Sequence, residues 1–258
     1  MKSVLSKCES PDFQYISEVL ENYVSFTDDS RRKELLRKFD ASGDANSKKQ
    51  LVAVIDKQIR YFGSSEIAYA FRSVFSDDAG VPAKEIIDDV CEKLKVTVKI
   101  GGSVEAKLER LVKAVVEKEL LSKTPEELRK AFRDFGIGEA KTEHILDFIK
   151  KNGKVAVLPI LLEIAGPVIT LKIIHAIVIS LITALVGREA AKAILKEVIK
   201  RNPWLNALGP LVWVISGGWL AFDLQGPAYR KTAPICLYLG IVALRDGPID
   251  GPSFFAAE

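Results

Sequence analysis

VAVLPILLEIAGPVITLKIIHAIVISLITALVG, residues 155–187, runs for thirty-three residues with only Glu163 and Lys172 charged and a single histidine, His175. Pro159, Gly166 and Pro167 divide it. Read as a helix, its cleanest piece, residues 173–187, is roughly 22 Å long at about 1.5 Å per residue. A hydrocarbon core of about 30 Å wants about 20 residues. The piece is too short to span alone, but long enough for half of a bent hairpin or for a buried core helix.

The apolar character continues outward. Residues 188–201 read as an amphipathic helix whose polar face carries Arg188, Lys192, Lys196, Lys200 and Arg201. Such a face suits anionic headgroups, each charge being worth about 1 kcal/mol near the surface, and equally suits a solvated helix on a globular core. Residues 202–222 are free of charge and contain Gly209-Pro210 and Gly217-Gly218, which argue against one straight helix. Trp204, Trp213 and Trp219 fall here, as interfacial anchors or as core filling. A third uncharged run covers residues 232–244, with Pro234 near its start.

The chain as a whole hides this. With 258 residues, 48% hydrophobic and net charge +3, the averages exclude disorder and a histone-like basic protein. Residues 1–150 hold 26 basic and 27 acidic side chains, whereas residues 151–258 hold 11 and 7. The expected architecture is all-α, a charged N-terminal helical bundle (1–150) followed by an apolar, Gly/Pro-broken bundle or hairpin (151–258). The first residues lack a secretory h-region, which points to a cytoplasmic N-terminus. Cys8, Cys91 and Cys236 have no CxxC spacing and read as free buried thiols.

Helical spacing dominates the first half. Phe13, Ile16, Val19, Leu20 and Tyr23 share a face, residues 31–39 form a second helix, and Ser47 is placed to cap a third that stops at Gly63. Pro82 stands where a helix would begin. Residues 96–100 alternate β-branched and polar side chains, a short strand or an extended linker, broken by Gly101-Gly102. Residues 104–121 form a long amphipathic helix, and Thr124-Pro125-Glu126-Glu127 is a capping box with Pro at the first position.

Chemistry is sparse. No HExxH, P-loop, GxSxG or dinucleotide fingerprint occurs, and no metal set or cofactor is expected. His144 sits among Glu143 and Asp147 as a solvated helix residue. Gly136-Ile137-Gly138, with Lys141 after it, resembles a helix-hairpin-helix turn that could hold a phosphate. The same residues make an ordinary turn between two helices, and the net-acidic half weighs against nucleic acid as a partner.

The segment Asp223-Leu-Gln-Gly226-Pro227-Ala-Tyr229-Arg230-Lys-Thr-Ala-Pro234, with Ala243-Leu-Arg245 beyond it, resembles the C-terminal signature of the YaaW-like family of bacterial proteins. Residues 59–68 and 86–95 fit the same family. The resemblance implies a middle region distantly like the ubiquinol-cytochrome c chaperones, helical assembly factors that act at a membrane, and it carries over no catalytic residue. On the residues themselves, Gly226-Pro227 should end one helix, and an Asp223–Arg230 pair should bridge the corner with Tyr229 packed nearby. The expected function is a non-enzymatic interaction protein, peripherally or conditionally associated with the inner membrane, whose apolar helices touch lipid or a membrane-protein client. A soluble chaperone-like module is the alternative, and pore-forming insertion the extreme form of the first.

Overall fold

The computed structural model describes residues 1–21, 29–63, 80–152, 157–186, 215 and 227–246. Among these residues there are eleven helices and no strand. They are α1 (Lys2–Lys7), α2 (Ser10–Glu21), α3 (Asp29–Ser42), α4 (Ala45–Phe62), α5 (Ala83–Lys93) and α6 (Val104–Leu121), followed by α7 (Pro125–Asp134), α8 (Glu139–Asn152), α9 (Val157–Ala165), α10 (Pro167–Val186) and α11 (Pro227–Asp246).

Local chemistry sets the helix ends. Thr124 and Glu127 form the reciprocal capping box expected of α7, and Ser103 caps α6 by accepting from the Ala106 amide. The start of α4 differs from expectation: Asp44 is the cap, accepting from the Asn46 and Ser47 amides. Ser47 lies one turn inside, because a carboxylate can take two of the orphan N–H groups at once. Residues 96–100 form no strand; after Lys95 at φ 50 they run as an extended link toward Gly101-Gly102. The described residues hold no strand for this alternating segment to ladder against, and alone it gains nothing from the β conformation.

The apolar run is longer as a helix than its cleanest piece suggested. Gly166, at φ 83, ends α9, and Pro167 opens α10 at once. α10 therefore covers 20 residues, about 30 Å, and Lys172 lies within it instead of before it. Among the described residues it is the one helix long and apolar enough to cross a membrane. Its middle, residues 173–182, is buried throughout, so in this structure it is a core helix.

α11 is the hub, packed against α6, α10, α1, α5, α2 and α4. At Gly240 it lies tight against α6, where an added Cβ would run into the Val112 side chain and the Leu108 carbonyl. The change of composition at residue 150 is not mirrored in the packing. One hydrophobic core joins Phe13, Ile55, Val115 and Phe132 to Ile177 and Leu239.

Candidate functional site

Two buried polar clusters hold α11 against the N-terminal helices, one near each end. The first is built on Lys231 and Arg32. Lys231 is 1% exposed; its ammonium donates to the Leu20 carbonyl at 2.7 Å and lies 3.7 Å from the Phe62 ring centre. Burial lowers its pKa to about 8, with Asp29 opposing that shift and Arg32 adding to it. Arg32, fully buried, donates to Ser17 Oγ (2.9 Å), Asp29 (2.5 Å), Gln58 (2.8 Å) and Glu21 (3.1 Å). Burial alone would raise the Glu21 carboxyl, but hydrogen bonds from Lys33, Arg32 and Ser17 hold it below the usual range. Two cations thus meet two carboxylates where α2, α3, α4 and α11 converge.

The second cluster centres on Asp12, 1% exposed. It accepts from the Glu9 amide (2.7 Å), from the Tyr238 hydroxyl (2.7 Å) and from Arg245 (3.5 Å). Arg245 also donates to the Lys7 carbonyl at 3.2 Å, and the Lys7 ammonium pairs with buried Glu105 at 3.1 Å. Burial and the Asp12 charge push the Tyr238 phenol well up, so it stays protonated as the donor. Between the clusters, the Tyr15 ring packs tilted against Tyr238 with ring centres 4.1 Å apart, and Tyr15 donates to the Pro234 carbonyl. Asp12 against 238–245, Tyr15 against 234 and Leu20 against 231 fix α2 and α11 as antiparallel neighbours in a single register.

The residues singled out in the sequence are distributed otherwise. Asp223, Gly226, Trp204, Trp213, Trp219, Arg188, Lys192, Lys196 and Lys200 lie outside the described residues, and Pro227 begins α11. Arg230 is exposed, while Tyr229 is half-buried with the Lys93 ammonium 4.7 Å from its ring centre. The next residue, Lys231, is the one that enters the core. Lys231 and Arg245 are the two cations that bracket the uncharged run 232–244, and that bracketing was the available signal. A helix that is apolar between two cations can be clasped only at its ends.

Gly136, at φ 82, closes α7 with its own amide and that of Ile137 bonded back to Arg133 and Phe132, a left-handed C-cap. Arg129 then grips Glu143 with two donors, at 2.6 and 3.1 Å, across the α7–α8 turn. Gly138, Lys141 and His144 are exposed, and Glu139 occupies the first turn of α8. Cys8, Cys91 and Cys236 are free and buried, and burial raises the Cys91 thiol to about 11. Among the described residues no group of three or more His, Cys, Asp and Glu is placed to hold a metal.

The chain is similar to proteins designated UPF0174 in Helicobacter pylori. One from strain J99 is 27% identical over 192 residues, covering 74% of this chain and 70% of the relative. One from strain 26695 is 25% identical over 192 residues, covering 74% and 87%. No protein-family model matches the chain, and no solved structure matches it.

Proposed function

We propose that this chain is a non-enzymatic, membrane-associated interaction protein that uses the α9–α10 region to contact lipid or an apolar membrane client from the cytoplasmic side. The observation that carries this is α10 itself: 20 residues with Lys172 as its one lysine or acidic side chain, beginning at a corner that leaves Val168 66% exposed. Around that corner Pro167 is exposed and Ile164, Ala165 and Ile169 are half-buried. A charge-poor corner of this kind costs little to bring against a bilayer, whereas buried Lys231 stays clasped in the protein, where its desolvation is already offset, and Arg245 is held by Asp12. The YaaW-like reading of residues 223–234, with its distant likeness to helical assembly factors, agrees with this location.

Flotation with vesicles of phosphatidylglycerol and phosphatidylcholine tests it. The wild-type protein should float with the anionic vesicles, and Val168→Asp should float several-fold less at unchanged thermal stability. Protein that stays in the bottom fraction with every vesicle ends the membrane reading. The second reading, a soluble chaperone-like module, is favoured by the complete burial of residues 173–182. It is supported if a client is recovered by crosslinking without detergent while flotation is absent.

A further inference from the structure

His175 lies in the buried middle of α10, 7% exposed, on a helix packed against α11, α9 and α6. The charged groups on those elements are mostly committed. On α6, buried Glu105, Lys107, Glu109 and Glu119 are ion-paired with Lys7, Asp88, Lys113 and Lys123. On α9, Glu163 is exposed. Also on α6, Glu117 is half-buried, its carboxyl raised by burial while it accepts from the Leu158 amide of α9. On α11, Lys231 belongs to the far cluster, and exposed Arg245 pairs with Asp12. On α10 itself, half-buried Lys172 stands three residues earlier. The ring therefore sits between burial and like charge, both of which disfavour the imidazolium. Its pKa is lowered to about 4.

We propose that His175 is an acid-sensitive latch: a proton taken up there puts a charge inside the buried packing of α10 against α11, α9 and α6 and opens it, freeing the apolar helix. The role of the freed helix rests on the membrane reading above; the latch itself does not. The neutral ring is compatible with the packed interface. Once α10 opens, the imidazole regains its ordinary basicity near 6.5 and binds a proton that the closed form refuses. As pH falls from about 6.5 toward about 4, the opening equilibrium rises about tenfold per pH unit, and it levels once the closed form can also take the proton.

Hydrogen exchange of the α10 amides, corrected for intrinsic rates, reads this directly in the full chain without lipid. Opening of α10 should rise about tenfold per unit between pH 6 and 4.5, and His175→Gln should remove that slope while leaving exposed His144 untouched. Equal slopes in wild type and variant overturn the latch. Should the variant fold poorly, the wild-type His175 ring resonance decides. Protonation accompanied by loss of α10 protection supports the latch, and protonation with α10 still protected sinks it. Anionic vesicles at pH 7.5 and 5 separate the two proposals. Acid opening with no flotation at either pH leaves the latch standing and ends the membrane reading. Equal flotation at both pH values, with no acid opening of α10, does the reverse.

Discussion

At the scale of single residues, Lys231 carries the most consequence. A buried ammonium costs several kcal/mol in desolvation, here offset by the Leu20 carbonyl, the Phe62 face and the nearby Asp29 charge. Its folded pKa, about 8 against 10.5, is lowered, so between those values the unfolded chain binds the proton more readily than the folded one. Stability contributed by this group therefore rises with pH across that window, by about 1 kcal/mol per unit. Urea denaturation at pH 8.0, 8.8 and 9.5 should show that rise in the wild type and a flatter profile in Lys231→Met, which retains the aliphatic volume. Neither Arg32 nor Lys231 was legible as a core residue, because helical periodicity ranks side chains by polarity, and these two are buried against it.

At the scale of elements, most helices were readable and their meetings were not. The α6 span, the α7 capping box and the stops at Gly63 and Gly136 coincide with local chemistry that a sequence displays. α10 starts at Gly166-Pro167, one of the breaks the sequence displays, and so takes in Lys172 ahead of the cleanest apolar piece. Gly240, unmarked in the sequence, is where α11 has no room for a Cβ against α6. Gly240→Ala should push α11 off the Leu108 carbonyl and Val112, at a cost of about 1–3 kcal/mol. Thermal unfolding read by circular dichroism should show a clear drop in Tm, larger for Gly240→Val. An unchanged midpoint would mean that the helices separate without loss.

At the scale of the whole molecule, the contrast between a charged and an apolar half describes composition and not architecture. Phe13 and Ile55 share one core with Ile177 and Leu239, and α11 touches α1, α2, α4, α5 and α6. A chain ending at Asn152 should accordingly lose its central helix and unfold without a cooperative transition, despite holding most of the helix-forming sequence. Its circular dichroism in rising urea checks this; a sharp two-state transition would show that the first half closes a core of its own.

The sequence by itself determined the helical class, most helix boundaries and the existence of an apolar stretch needing cover, because caps, glycines and the 3.6-residue period act within a few residues of one another. Only the tertiary structure decided that α11 is the hub and that Lys231 and Arg245 clasp it at its two ends. Those facts depend on pairings between residues more than 200 apart in the chain, such as Leu20 with Lys231 and Asp12 with Tyr238. Local periodicity says that a face must be buried; which partner buries it, and which charges are drawn in with it, is settled when the helices pack.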